Sequence, residues 1–217
     1  MHALRYVCLP VLALALAGCG IASTAGDRGW VTPGNGKDLD GWEQINGSAK
    51  YEVKGGAIVG TSVPNSQNSF LCTKKRYSDF ELEFEVKVDK ELNSGVQIRS
   101  ESKPEYQNGR VHGYQVEIAV GGFSGGIYDE ARRGKFLNAD KPTEEIRALL
   151  KENAWNKYRV VCQGDRIQTW VNGRQVTDLK DDMTRTGFIG LQVHGVGNRT
   201  EPLQVQWRNL RLRELKP

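Results

Sequence analysis

Several stretches of the 217-residue chain set polar side chains opposite an apolar row at every second position. Gln97 and Arg99 alternate with Val96 and Ile98. Gln115 and Glu117 alternate with Val116 and Ile118, Gln192 and His194 with Leu191 and Val193, and Gln168 and Trp170 with Ile167 and Val171. Period-two alternation describes a strand with one buried and one polar face. If these strands share a sheet, one surface carries a carboxylate, an imidazole, a guanidinium, several amides and an indole. Amides and a guanidinium suit the donors and acceptors of sugar hydroxyls, and an aromatic face stacks on the C–H surface of a pyranose. Glu117 and His194 are the candidates for proton transfer, with Arg99 as the group facing developing negative charge. Gln97, Gln115, Gln192, Trp170 and Tyr128 are the candidate sugar contacts. A polar outer sheet of chance composition is the plainer alternative.

His194 is one of three histidines, and a histidine titrates near working pH. His112, at the mouth of the strand that carries Glu117, is its rival. Asp129 and Glu130 follow the glycine-rich turn Gly121–Gly126 and suit a cation or a sugar as well as they suit a plain turn. There is no Gly-x-Ser-x-Gly elbow, no phosphate loop and no His-Glu-x-x-His helix, which argues against esterase, nucleotide-binding and zinc-protease chemistry.

The elements that must position these groups are short strands. Phe80–Val88 alternates most cleanly, with Glu81, Glu83 and Glu85 on a face that reads as solvated. Gly55-Gly56, Gly164-Asp165 and Asn172-Gly173 mark tight hairpin turns. Along the last run Leu203, Val205 and Trp207 share one parity and Leu210 and Leu212 the other, so a β-bulge is expected near Arg208-Asn209. One short helix is expected, capped by Thr143, with Glu144 and Glu145 in its first turn and Ile146, Leu149 and Leu150 as its apolar stripe. Many short strands with frequent turns and little helix predict an all-β sandwich or barrel, built as one domain.

The first residues read as a leader. An apolar run from Val7 to Ala17 is too short to span a bilayer and has the shape of a secretory signal. It ends in Leu16-Ala17-Gly18-Cys19, which resembles a bacterial lipobox. Residues 1–18 are then a lipoprotein signal peptide, Cys19 the lipidated residue, 19–29 a tether, and 30–217 the domain. An acylated Cys19 makes the membrane a partner and the cell envelope the location, outer membrane or periplasm ahead of inner membrane. An exported compartment permits a disulfide, and for Cys72 and Cys162 a bridge and a pair of buried thiols stand equal. Thirty Lys and Arg against 26 Asp and Glu leave a formal charge of +4. The charges are interspersed, so no nucleic-acid stripe is formed.

These stretches together resemble a known family, the 3-keto-disaccharide hydrolase domain family, over roughly Gly29 to Leu215. The resemblance rests on Gly41-Trp42, Ser94-Gly-Val-Gln-Ile-Arg-Ser100, Gly113-Tyr-Gln-Val-Glu-Ile118, Gly126-Ile-Tyr-Asp129, Trp155-Asn156, Trp170-Val-Asn-Gly173, Gly187-Phe-Ile-Gly-Leu-Gln-Val-His-Gly195 and Trp207-Arg-Asn-Leu-Arg-Leu212. It implies a two-sheet jelly-roll sandwich of the concanavalin A-like lectin and glucanase type, with the polar surface on its concave sheet. It also implies a hydrolase or lyase acting on 3-keto-glycosides or 3-keto-disaccharides. The Glu-x-Asp pair of laminarinase-type enzymes is missing, which disfavours a double displacement by two strand carboxylates. A ketone at C3 offers another route, since it acidifies the C2 proton and lets the C1 substituent leave. That route needs a base, an acid and a donor at the enolate oxygen. Glu117 and His194 are expected as base and acid, in either order, with Arg99 at the oxygen. No cofactor is fixed by these residues, and a divalent metal at the same oxygen stays open. A lectin-like glycan-binding lipoprotein without catalysis is the alternative.

Overall fold

The computed structural model describes residues 29–216, so the leader, the lipobox Cys19 and most of the tether lie outside the described residues. Two antiparallel sheets pack face to face. The six-stranded sheet runs in the order β1 (Trp42–Ile45), β4 (Ser69–Thr73), β12 (Phe188–Val193), β6 (Ser94–Glu101), β7 (His112–Ile118) and β8 (Ile127–Glu130). The seven-stranded sheet runs β11 (Arg174–Lys180), β10 (Arg166–Val171), β9 (Asn156–Gln163), β5 (Phe80–Val88), β13 (Gln204–Glu214), β3 (Ala57–Thr61) and β2 (Lys50–Lys54). Among the described residues the one helix, α1 (Glu144–Arg147), is a single turn capped by Thr143, whose side chain accepts from the Ile146 amide. Among the described residues no helix is long and apolar enough to cross a membrane.

The alternation read from the sequence is what closes the sandwich. Phe80, Leu82, Phe84, Val86 and Val88 of β5 meet Val96, Ile98, Val116, Ile118 and Leu191 of the other sheet in one continuous core. Phe84 stacks on Tyr158 with ring centres 5.0 Å apart. The expected hairpins form at 55–56, 164–165 and 172–173. The expected bulge also forms. The register of β13 slips between Arg208 and Arg211, and Asn209 takes a φ of 52°. The slip is what lets Trp207 and Leu210 both point into the core.

The glutamates of β5 do face outward, but into a lattice of cross-strand ion pairs. Glu81 pairs with Arg159 and Arg213, Glu83 with Arg211, and Glu85 with Arg208. Tryptophans flank the arginines. Trp155 lies under Arg208 at 4.0 Å, Trp30 under Arg211 at 4.5 Å, and Trp170 under Arg159 at 4.3 Å. Of the two readings of the cysteines, the structure has the buried thiols: Cys72 and Cys162 are free. Cys72 is on β4 beside Phe70, and Cys162 on β9 faces the core of the other sheet.

Candidate functional site

The outer face of the six-stranded sheet gathers most of the predicted polar groups, because β12, β6 and β7 are neighbours. Two rows cross the strands. One contains Phe70, Gln192, Gly95 and Glu117, and the next contains Cys72, Gly190, Gln97, Gln115 and Tyr128. A chain of hydrogen bonds runs through them in one direction. Ser100 Oγ donates to Gln97 Oε1 at 2.7 Å, Gln97 Nε2 to Gln115 Oε1 at 2.8 Å, and Gln115 Nε2 to Glu117 Oε2 at 3.1 Å. Asn93 Nδ2 donates to the other carboxylate oxygen. Gly95 makes room for the chain. A Cβ there would sit 2.4 Å from Cδ of Gln115, so only glycine lets that amide lie across β6.

Glu117 therefore ends a line of donors while being only 7 % exposed. Burial pushes its pKa above the ordinary carboxylate range. The Asn93 and Gln115 amides and the nearby His194 pull it back only in part, and Glu130 adds to the rise. A carboxyl so placed is suited to take and return a proton at a higher pH than an ordinary glutamate does. His194 is exposed just beyond β12, with Nδ1 against the Gly195 carbonyl. Tyr128 stands beside Gln115 on the edge strand. Burial and then the charges of Glu130 and Glu117 raise its pKa, so its hydroxyl stays a donor.

Two predicted members are elsewhere. Arg99 does not share this face. It sits at a bulge with φ 46°, where Arg99 and Ser100 of β6 together face Gly113 of β7. The extra residue turns its side chain into the end of the sandwich, fully buried. There it donates to the Ser78 carbonyl at 2.7 Å, the Gly164 carbonyl at 2.8 Å and the Asp79 carboxylate at 2.9 Å. It joins the two sheets and is spent on them. Trp170 belongs to the seven-stranded sheet, because β10 pairs with β9 and β11 and never with the six strands. Its partner is Arg159, on the far side of the molecule from Glu117. His112 is buried, with Nδ1 at the Arg110 carbonyl and its ring 4.0 Å from that of Tyr106. Asp129 is wholly buried between Arg132 and Arg133, whereas Glu130 faces the site and pairs with Arg110 at 3.5 Å.

Sequence reasoning missed three contributors. Asn93 precedes its strand and carries no periodic signal. Ser100 reaches the face only because of the bulge. The third is the connection 102–111, which folds back over β12 and β4 as a strap. Val111 packs with Phe70, Cys72 and Phe188. The side chain of Asn46 holds the Gly109 carbonyl at 3.1 Å and the Val111 amide at 2.8 Å. Tyr106 ties the strap to the Ala131 carbonyl at 2.6 Å. The strap covers the apolar residues of β4 and β12, and Arg110 at its end meets Glu130. Among the described residues no three His, Cys, Asp or Glu side chains converge to hold a metal ion.

A two-sheet all-β sandwich with a polar site on one outer face is the jelly-roll architecture of glucanases and carbohydrate-binding modules, and solved structures share it. A protein of Parabacteroides distasonis ATCC 8503, provisionally described as a glycosyl hydrolase, is 19 % identical, with a TM-score of 0.62 over 87 % of this chain and 94 % of that one. The carbohydrate-binding module CBM66 of Bacillus subtilis is 17 % identical, with a TM-score of 0.59 over 80 % and 96 %. A β-glucanase of Bacillus licheniformis is 12 % identical, with a TM-score of 0.56 over 87 % and 97 %. At these identities the likeness is one of fold. No curated protein matches the chain. Residues 29–213 match the model of the 3-keto-alpha-glucoside-1,2-lyase-like domain, and the chain belongs to that carbohydrate-active family.

Proposed function

We propose that the protein cleaves the C1 bond of 3-keto-glycosides, with Glu117 as the base. The carrying observation is the Glu117 carboxyl, buried yet fed by a one-way line of amide donors and raised in pKa on an otherwise polar face. Glu117 removes the C2 proton, whose electrons pass to the C3 oxygen as an enolate. The enolate re-forms the ketone, its electrons make the C1–C2 double bond, and the C1–O bond breaks. His194 supplies the proton that the leaving oxygen takes up. Water added across the C1–C2 bond then gives the free 3-keto sugar. Tyr128 and Arg110 are the donors left near the enolate oxygen, since Arg99 is committed to the sheet junction. General acid–base groups of this kind contribute roughly 10²–10⁴-fold each. The lipid anchor at Cys19 and a cell-envelope location belong to the same proposal, with residues 30–217 as the catalytic domain.

The test is incubation with methyl 3-keto-α- and β-glucosides in D2O, with and without chelator. Release of methanol together with deuterium at C2 is expected. If the glycosides stay intact and C2 stays protonated while unmodified glucans bind, the lectin-like reading replaces this one. The fold shared with the CBM66 module supports that second reading.

A further inference from the structure

The outer face of the seven-stranded sheet takes no part in the Glu117 site, yet its composition is not that of a plain solvated face. The chain has five tryptophans. Trp42 and Trp207 belong to the core. The other three, Trp30, Trp155 and Trp170, are half-buried and all lie on this face, each against an arginine. The lattice they flank has a surplus of positive charge. Glu81, Glu83 and Glu85 meet four arginines and also Lys157, which is 3.7 Å from Glu83. Lys87 stands opposite Gln206 on the same face, and Lys50 and Lys54 flank Glu52 on β2, in line through β3 with Gln204 and Arg208. Over β2, β5, β9 and β13, four carboxylates thus stand against eight cations. That surplus equals the formal charge of the whole chain, +4.

The chain also enters the domain on this sheet. Val31 exchanges both backbone hydrogen bonds with Leu212 at 2.7 Å, beside β13 and past the last residue that β3 pairs. The Trp30 ring centre is 4.5 Å from the Arg211 guanidinium and 5.0 Å from that of Arg213. Residues 19–28 link the lipobox cysteine to this point, a reach of at most about 35 Å when fully extended. A lipid on Cys19 therefore holds this end of the sheet close to the bilayer. Tryptophan rings settle at the headgroup level of a membrane, and clustered Lys and Arg are drawn to anionic lipid.

We propose that the outer face of the seven-stranded sheet is a membrane-docking surface that lies on anionic phospholipid, with Trp30, Trp155 and Trp170 among the headgroups and the surplus cations on lipid phosphates. That orientation rests on the Cys19 anchor proposed above. The outer faces of the two sheets point in opposite directions, so Glu117 then faces away from the bilayer, toward soluble sugar.

The full chain, as its host processes it, is mixed with vesicles of phosphatidylethanolamine and phosphatidylglycerol, or of phosphatidylcholine alone, each containing a lipid with a nitroxide on its headgroup. Tryptophan emission reads the contact, and the mass of the processed N-terminus reads the anchor separately. Strong quenching is expected on the anionic vesicles and little on the neutral ones. Trp30→Phe, Trp155→Phe and Trp170→Phe combined should leave only the unquenched emission of Trp42 and Trp207. Lys50→Glu, Lys54→Glu and Lys87→Glu combined should lower the quenched fraction about threefold or more, with Tm and turnover unchanged. The same charge change at Lys74, Lys103 and Lys135, beside the other sheet, should leave the quenching as it is. Absence of quenching on anionic vesicles overturns the docking surface whether or not Cys19 is acylated. Equal quenching on neutral vesicles overturns it too, as does quenching that survives the substitutions at Lys50, Lys54 and Lys87. So does a dimer in sedimentation whose tryptophans stay unquenched, since the face then pairs two copies. Quenching by a chain whose Cys19 is not acylated sinks the anchor and leaves the surface standing.

Discussion

Replacing Arg99 separates a structural arginine from a catalytic one. The guanidinium is wholly buried and makes three charge-assisted contacts, to two carbonyls and to Asp79, at 2.7–2.9 Å. Asp79 is 14 % exposed on its side chain and also accepts from the Gly164 amide. Arg99→Ala strands that carboxylate and two carbonyls at the end of the sandwich. Removing one partner of a buried pair costs about 3–5 kcal/mol. For a domain of this size each kcal/mol lowers Tm by about 2–4 °C, so a fall of about 6–20 °C is expected. Arg99→Lys keeps the charge but loses the planar fork, and should fall between alanine and wild type. The assay is a thermal melt followed by circular dichroism, paired with turnover of a 3-keto-glycoside well below the variant's Tm. Turnover per folded molecule should stay within about threefold, because the side chain never reaches the Glu117 face. A normal Tm with turnover lost 10²-fold or more, the size of an oxyanion donor, would return Arg99 to the chemistry and refute the reading of the bulge.

Gly95→Ala should act in the opposite way. Its Cβ would lie 2.4 Å from Gln115 Cδ and displace the amide that feeds Glu117. A misplacement of about 1 Å can cost roughly 10²-fold in turnover, and Tm should drop by only a few degrees. For Glu117 the raised pKa places the acid limb of kcat/KM above the ordinary glutamate value of about 4.3, since the base must be ionised to act. The limb should be absent from Glu117→Gln, whose rate falls by about 10²–10⁴; a wild-type limb at or below 4.3 counts against Glu117 as the base. Asp181 governs stability at lower pH. Burial pushes it up, but the Arg133 guanidinium, the Tyr114 hydroxyl and the Met183 amide together hold it down at about 2. Its contribution is therefore present above the unfolded value of about 3.9 and is lost as pH falls through 2. Urea denaturation of Asp181→Asn between pH 2 and 5 should show a shallower loss of stability on acidification than wild type.

The fold was readable because its evidence is local. Alternation on β5, paired turn residues at 164–165 and 172–173, and the parity change at Asn209 each depend on a few neighbours in sequence, and each formed as expected. Half of the site was readable for the same reason: Gln97, Gln115, Glu117 and Gln192 keep strand parity and their strands are adjacent. Trp170 was misplaced because parity assigns a side chain to a face but not a strand to a sheet. Which sheet receives β10 is decided by the hairpins with β9 and β11, and those lead away from β12. The strap was invisible because no pattern within 102–111 shows that it folds back. Its anchors, Asn46 and Phe70, are far away in the chain.

One inserted residue on β6 accounts for both the largest error and a missed member of the site. Had the strand run straight, Arg99 would have stood beside Gln97 as its spacing suggests. The bulge instead sends Arg99 into the sheet junction and brings Ser100 up beside Gln97, where its hydroxyl starts the hydrogen-bond line. Gly187 permits this: a Cβ there would fall 2.2 Å from the Arg99 carbonyl carbon. The two consequences are chemically opposite. A guanidinium beside the chain would hold Glu117 ionised at low pKa and make it a poor base. A neutral hydroxyl orients the amides without adding charge, and burial is left free to raise the carboxyl. The bulge thus spends the positive charge on stability at one end of the sandwich and keeps it away from Glu117.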